Sequence, residues 1–206
     1  MEPFKTFRGV GAPLLRQNID TDAIIPSREM QKVAKSGLSA GLFAGWRYKD
    51  PISREINPEF VLNKTDYQNT QIILAGKNFG CGSSREHAVW ALKEFGIKAV
   101  IAPSFGRIFL GNCIRNCILP ISLPEDQLKE LISATEIDPQ KFLIQVDLLS
   151  QCIEVIGLVK FNFEFDQASK EILLEGLDPI SLTERSSREI IDFEELDREN
   201  RPWIYL

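Results

Sequence analysis

The succession of a short apolar run, a glycine-rich loop and a helical pattern in the middle of the chain constrains the fold most. Residues 71–75 (QIILA) have the length and composition of a buried strand, and residues 76–82 form a glycine-rich loop. Apolar residues then recur at helical spacing from Ala88 to Phe95, before a second apolar run at 99–102 that Pro103 ends. The pattern predicts a βαβ unit and therefore an α/β fold.

The flanking regions predict a mixed sheet with helices around it. Helices are expected at 104–116, at 124–137 on the surface and, exposed, at 183–200; strands are expected at 118–121, 142–146 and 159–163. Residues 9–54 show no clear period and are interpreted as loops around short elements. With 206 residues and 44% apolar residues, we expect a single domain over 1–206, with 179–206 as a helical extension.

Composition excludes several classes of function. The net charge is −5 and the basic residues are scattered, which disfavours binding to nucleic acid or to anionic membranes. Without an apolar run of eighteen residues or a signal-peptide pattern, a soluble cytoplasmic protein is expected. The four cysteines are too few for a disulfide scaffold in a chain of this size and are interpreted as free thiols.

The loop after the first predicted strand is the candidate functional site. A helix start presents free backbone N–H groups and a positive dipole end to a carboxylate or phosphate, and Gly80 and Gly82 let the main chain approach such an anion. Arg85 adds a planar donor suited to a carboxylate. A hydroxyl of Ser83 or Ser84 in this setting has an electrostatically favoured deprotonated form and could remove a proton next to a carboxylate.

Spacing alone excludes two nucleotide-binding motifs and leaves one structural alternative for the loop. The third glycine of a dinucleotide-binding loop is missing, and no phosphate-binding Gly-Lys-Ser/Thr motif is present. Ser83 followed by Glu86 three residues later also matches a capping box, which would explain both residues without any chemistry. His87 could contact a bound anion or only pack in the first turn, and Cys113 and Cys117 favour a structural role over a metal site.

At residues 82–87 (GSSREH) the sequence resembles the active-site loop of the swivelling domain in the aconitase superfamily. The resemblance continues through 18–22 (NIDTD), 57–62 (NPEFVL), 101–105 (IAPSF) and 174–178 (LEGLD). Over nearly the whole chain, in order, it is similar to the small subunits of bacterial 3-isopropylmalate dehydratases. The fold implied is a single aconitase-type swivelling domain.

The resemblance implies a partner, a cofactor and residue roles. The partner is the large subunit, whose cysteines hold a 4Fe-4S cluster with one iron open to substrate as a Lewis acid; this chain has no similar cysteine set and no metal site is expected on it. Ser83 is implied as the base that takes the proton, and Asp22 as the residue that orients the hydrogen bonds of the site. Ser84 and Arg85 are implied to bind the substrate carboxylate.

Two further assignments rest on the same resemblance. Arg28 lies where the family places a second carboxylate-binding arginine, and the alternative for it is a solvated surface arginine. Residues 36–54, with Phe43 and Trp46, resemble the region that screens the side group of the substrate, and an apolar pocket there would discriminate by only about 1–3 kcal/mol per methylene.

The reaction implied is a reversible dehydration and rehydration that interconverts 2- and 3-isopropylmalate in leucine biosynthesis. Three alternatives stay open: the small subunit of a related hydro-lyase acting on citraconate, dimethylmalate or homoaconitate; a non-catalytic carboxylate-binding module; and a purely structural subunit.

Overall fold

One sheet of mixed direction runs through the molecule, with helices on both of its faces. The computed structural model describes residues 3–30, 36–50 and 52–205, so the ends of the predicted domain and Pro51 of the predicted screening segment lie outside the described residues. The strands are β1 (Phe7–Leu14), β2 (Thr70–Ala75), β3 (Ala99–Ala102), β4 (Leu119–Ser122), β5 (Ile144–Asp147), β6 (Cys152–Val155) and β7 (Val159–Asn162). Their order is β4-β3-β2-β1-β5-β6-β7, which confirms the predicted mixed sheet.

Short helical elements surround the first half of the chain and longer helices follow. The α-helices are α1 (Thr21–Ile24), α2 (Ala44–Arg47), α3 (Glu86–Phe95), α4 (Arg107–Arg115), α5 (Glu125–Glu136), α6 (Gln167–Glu175), α7 (Pro179–Glu184) and α8 (Ser187–Asn200). The 3₁₀ turns are Ser27–Glu29, Ser39–Gly41, Val61–Asn63, Thr65–Tyr67 and Pro202–Ile204. The predicted helix at 104–116 begins three residues later than expected, and the predicted tail helix is divided into α7 and α8.

The sheet changes direction at β1. Strands β1 to β4 pair in parallel, whereas β5 pairs antiparallel with β1 and continues into the β5–β6–β7 meander. The carboxyl ends of β1, β2 and β3 therefore lie at one edge, and the loops that leave them are neighbours. This edge is where ligands bind in open α/β sheets.

The interpretation of residues 9–54 as loops around short elements missed β1 as a strand of eight residues in the middle of the sheet. Gly9, Gly11 and Pro13 hide the alternation that a strand normally shows. A Cβ on Gly11 would lie 2.5 Å from Ile144 Cδ1, and a Cβ on Gly9 would lie 2.8 Å from Gln71 Cβ. The glycines are there because neighbouring side chains cross the strand, which is a tertiary requirement.

The alternation of β2 divides the core into two layers. Ile73 and Ala75 face the layer that contains α3 and α4, while Ile72 and Leu74 face the layer that contains α5. All four side chains are fully buried. Helix α3 thus has a fixed position on the sheet, and its first turn lies beside the loops at the carboxyl edge.

Among the described residues, none of the helices combines the length and apolarity that crossing a bilayer requires.

Candidate active site

Three loops meet at the carboxyl edge of the parallel strands and are joined by backbone hydrogen bonds. The N–H of Gly80 donates to Ile19 O at 2.7 Å, and the N–H of Thr21 donates to Cys81 O at 3.0 Å. On the other side, Phe79 N donates to Ser104 O at 3.0 Å. The glycine-rich loop after β2 is therefore held between the loops that follow β1 and β3.

Gly80 serves packing at this point. It has φ +72°, and a Cβ there would lie 2.1 Å from Cγ of Phe109, a buried residue of α4. The prediction for Gly80 was a close approach of the main chain to an anion; in the structure its missing side chain makes room for the Phe109 ring. Gly82 has φ +90° and is exposed, so its backbone is accessible from solvent.

The capping-box alternative is wrong. The N-cap of α3 is Arg85, two residues after Ser83, and no side chain of the described residues caps the helix. Glu86 instead accepts a hydrogen bond from Asn116 Nδ2 at 2.8 Å. Ser83 and Ser84 are both exposed, and their presence is not explained by helix capping.

The start of α3 presents unused donors next to these serines. Within the described chain, the backbone N–H groups of Ser83, Ser84, Glu86 and His87 have no hydrogen-bond acceptor. Orphan N–H groups and the positive end of a helix of ten residues stabilise an anion at this position. The setting favours a bound carboxylate or a deprotonated serine oxygen.

Arg85 and Asp22 are brought together from positions 63 residues apart. Arg85 Nη1 donates to Asp22 Oδ1, and the Arg85 side chain is 25% exposed against 55% for Asp22. Asp22 is positioned by α1, where Asp20 caps the helix by accepting from Ala23 N at 2.7 Å. The ion pair holds one Nη atom of the guanidinium, and no other described residue accepts a hydrogen bond from its remaining nitrogens.

Thr21 contributes a contact that the sequence analysis missed. Its side chain is buried, and Oγ1 donates to the backbone O of Ser83 at 3.1 Å. Together with its N–H bond to Cys81, Thr21 fixes both ends of the Cys81–Ser83 segment. The available signal in the sequence was the position of Thr21 between Asp20 and Asp22 in a polar turn. Its burial, which makes a hydrogen-bond partner necessary, is visible only in the fold.

His87 and Arg28 are engaged with other residues in the structure. The His87 ring lies 4.7 Å from the Trp90 ring, centroid to centroid, which is a packing contact on α3. Arg28 Nε lies 3.5 Å from Glu29 Oε1, and its side chain is 46% exposed. Within the described residues, no hydrogen bond or ion pair joins Arg28 to the serine loop, so its role as a carboxylate ligand stays a prediction.

The cysteines are free thiols, as predicted. Cys113 is fully buried, and burial raises the pKa of its thiol well above the ordinary value. Across residues 3–30, 36–50 and 52–205, three or more His, Cys, Asp or Glu side chains are never grouped so that they could hold a metal ion.

The aromatic segment after α1 is partly core. Phe43 is fully buried and stacks on Trp46 at 5.6 Å, with an angle of 6° between the rings. Trp46 is half-buried, and the Arg16 guanidinium lies 4.6 Å from its ring centroid. Of the two aromatic residues that the sequence analysis singled out, Trp46 is therefore the one with surface to offer a ligand.

A family model for the aconitase C-terminal domain matches residues 1–126, more than half of the chain. Together with the fold, this match defines a class: an aconitase-type swivelling domain, here with two exposed serines before Arg85. In solved structures, the fold is similar to 3-isopropylmalate dehydratase of Methanocaldococcus jannaschii, with a TM-score of 0.65 and 30% identity over 92% of this chain and 99% of that one.

Curated sequences define the group more narrowly. The chain is 52% identical to the 3-isopropylmalate dehydratase small subunit of Cupriavidus necator, over 100% of this chain and 99% of that protein. It is 46% identical to the small subunit of Roseobacter denitrificans, over 99% of this chain and 100% of that protein. The chain therefore belongs to the aconitase family and, within it, to the 3-isopropylmalate dehydratase small subunits, which confirms the resemblance.

Proposed function

We propose that this chain is the small subunit of a hydro-lyase that interconverts 2-isopropylmalate and 3-isopropylmalate by removing and re-adding water. The observation that carries the proposal is the exposed Ser83–Ser84 pair at the uncapped start of α3, next to the Arg85–Asp22 ion pair. Full-length identity of 52% to a protein named as such a small subunit supports the substrate.

Ser83 is the proposed base. Its deprotonated Oγ takes the proton from the carbon next to a carboxylate, and the electrons of the broken C–H bond form the double bond. The C–O bond on the neighbouring carbon breaks at the same time, and its electron pair leaves with hydroxide, which a Lewis acid held by the partner would accept. To give the isomer, hydroxide adds to the carbon that lost the proton and Ser83 returns its proton to the carbon that lost the hydroxyl. The free N–H groups at the start of α3 and the Arg85 guanidinium stabilise the serine oxygen anion that this step needs.

The neighbouring residues bind and orient the substrate in this proposal. Arg85, held by Asp22 through one Nη atom, offers its remaining nitrogens to a carboxylate. Ser84 donates to the same carboxylate, and Arg28 binds the second one. His87 stays a possible contact, since its ring already packs on Trp90.

A partner is required because the proposed site is half a site. The described part of this chain does not offer a donor set for an iron–sulfur cluster. We propose that the large subunit holds a 4Fe-4S cluster, which supplies Lewis-acid chemistry for the departing hydroxyl. We further propose that residues 1–206 are one swivelling domain with a helical extension at 179–206, and that the complex acts in the cytoplasm.

The proposal is tested by reconstituting the complex from this chain and the cluster-loaded large subunit of the same organism. Ser83→Ala is expected to lower kcat by about 10²–10⁴-fold, the usual contribution of a positioned base. Ser150→Ala, an exposed serine in the β5–β6 turn, is the control and should keep wild-type kcat. Size-exclusion chromatography must show both variants in the complex; near-normal turnover of Ser83→Ala contradicts the assignment.

A substrate panel separates the related hydro-lyases. The complex is assayed with isopropylmalate, citraconate, dimethylmalate and homoaconitate, and the highest kcat/KM is expected for isopropylmalate. A higher kcat/KM for another acid would contradict isopropylmalate as the substrate and would leave the reaction class unchanged. Tight calorimetric binding of these acids by the chain alone, with no turnover in any complex, would favour a non-catalytic carboxylate-binding module.

A further inference from the structure

The end of the chain exposes large apolar side chains. On α8, Ile190, Phe193 and Leu196 recur every three residues along one face and are 38%, 61% and 59% exposed. The following turn adds Trp203 and Ile204, at 66% and 54%. These five residues are called the tail surface; contiguous exposed apolar patches rich in aromatic residues are typical of protein interfaces.

The tail surface has a defined structure of its own. Asp197 is 8% exposed and accepts from Arg201 Nε at 2.5 Å and from Tyr205 Oη at 2.8 Å. The Arg198 guanidinium lies 4.8 Å from the centroid of the Tyr205 ring. These contacts fold the terminal turn back on α8, so the turn that carries Trp203 is held against the helix.

The rest of the described chain does not cover this surface. Helix α8 packs against the Pro202–Ile204 turn, and its contacts with the sheet and with α3 to α6 are sparse in comparison. Each of the five side chains keeps more than a third of its area in contact with solvent. Burying this area would therefore require another polypeptide.

The charge of α8 indicates which kind of polypeptide fits. The helix carries six acidic residues and two basic ones, a net charge of −4. Glu189, Asp192, Glu194, Glu195 and Glu199 form no ion pair with any described residue. Two copies of this surface would bring like charges together, which disfavours self-association, whereas an apolar groove with a basic rim would be complementary.

The comparisons indicate where such a partner comes from. The family model shared with aconitases ends at residue 126, well before α7. The relatives that align through the end of the chain carry the name small subunit. The tail is therefore present in relatives that are named as parts of a larger assembly.

We propose that the tail surface is a docking site for the large subunit, which contacts it through an apolar groove rimmed by basic side chains. The inference rests on the proposed function, since that function names the partner. It adds a second contact region to the serine loop: the tail would provide affinity, and the loop would provide chemistry.

The test is a double substitution, Phe193→Ala with Trp203→Ala, in the full chain. The dissociation constant for the purified large subunit is expected to rise by at least about 30-fold, since aromatic anchors are the usual interface hot spots. At saturating large subunit, kcat should stay within twofold of wild type. The matched control is Leu149→Ala with Ile137→Ala, which are 70% and 82% exposed elsewhere and should leave the dissociation constant unchanged.

The outcomes distinguish the two proposals. If wild-type chain and large subunit form an active complex and the double variant binds equally well, the docking site is overturned while the proposed function stands. If the wild-type chain gives neither complex nor turnover with the large subunit, both fail. Sedimentation that shows a wild-type dimer lost in the double variant, with unchanged affinity for the large subunit, would assign the surface to a second copy and overturn the proposal.

A charge variant tests the basic rim separately. Glu194→Gln with Glu195→Gln should weaken binding a few-fold at low salt, and the effect should disappear at about 1 M salt, where charges are screened within about 3 Å. Binding that does not change in this variant at any salt concentration would contradict the basic rim. Circular dichroism checks that every tail variant keeps its helix content.

Discussion

The serine loop and the tail surface are both exposed, yet they are built in opposite ways. The loop after β2 is bonded to two neighbouring loops, packs on Phe109 through Gly80 and is anchored by buried Thr21. The tail contacts mainly itself and leaves its apolar side chains in solvent. The difference agrees with the two proposals, because catalytic groups need a rigid support, whereas a docking surface reaches its lowest free energy only with its partner.

Among changes in the serine loop itself, the largest effect is expected from filling the space at Gly80. Gly80→Ala places a Cβ 2.1 Å from Cγ of Phe109 and keeps a left-handed φ, which together should cost about 3 kcal/mol of unfolding free energy. Chemical denaturation measures it. Gly111→Ala, with open space around its Cβ on α4, is the control and should stabilise by up to about 1 kcal/mol. A loss of unfolding free energy below 1 kcal/mol for Gly80→Ala would show that the loop and Phe109 can move apart to accept a Cβ.

The next effect concerns Thr21. Thr21→Val keeps the shape but removes the donor to Ser83 O, at a cost of about 1 kcal/mol in stability. The loosened Ser83 should lower kcat of the reconstituted complex about tenfold, because small displacements of a reacting group are costly, with KM within twofold. Thr21→Ser keeps the hydroxyl and should restore most of the rate. Equal turnover in all three proteins would show that Thr21 does not position Ser83.

A smaller effect is expected at Glu94, whose carboxylate holds the backbone of residues 37–39. Glu94 on α3 accepts from the N–H groups of Gly37, Leu38 and Ser39 at 2.6, 2.5 and 2.9 Å. The hydrogen bond from Gly37 has the largest effect, and together the three bonds lower the pKa of Glu94 by more than partial desolvation raises it. The pKa of Glu94 is therefore below its ordinary value. The stabilisation is therefore complete above the unfolded-state pKa of about 4.3 and is lost as the pH falls through the lower folded-state pKa.

The measurement for Glu94 is the melting temperature against pH. Glu94→Gln should lower Tm by about 1–3 °C at pH 7, since the group is exposed, and the difference from wild type should shrink below about pH 4. Glu195→Gln, an exposed carboxylate on α8, is the control. A difference that persists undiminished at pH 3 would rule out the carboxylate as its source.

The smallest effect is expected on the tail surface. Phe193→Ala in the chain alone should change the unfolding free energy by less than about 0.5 kcal/mol, because an exposed ring has little to lose. Phe109→Ala, from a ring that is 2% exposed, should cost about 3–5 kcal/mol. A comparable loss for Phe193→Ala would mean that the tail is packed within the chain and is not available for docking.

Local pattern was sufficient for much of the fold and for the residue types at the site. The apolar run at 71–75, the helical spacing from Ala88 and the run at 99–102 became β2, α3 and β3 with small shifts at their ends. The pattern of residues 183–200 also predicted an exposed helix, which the structure divides into α7 and α8. Such patterns are local because each reflects the period of one element against one buried face.

Tertiary contacts decided what the patterns left open. The sequence by itself determined the α/β class and a serine–arginine loop at a helix start, since these depend on neighbouring residues. Only the fold showed that β1 lies at the centre of the sheet and that the N-cap of α3 is Arg85, which excludes the capping box. Only the fold brings Thr21 to Ser83 and Asp22 to Arg85. Those pairs are more than sixty residues apart in sequence, and they meet because parallel strands bring the loops at their carboxyl ends together at one edge of the sheet.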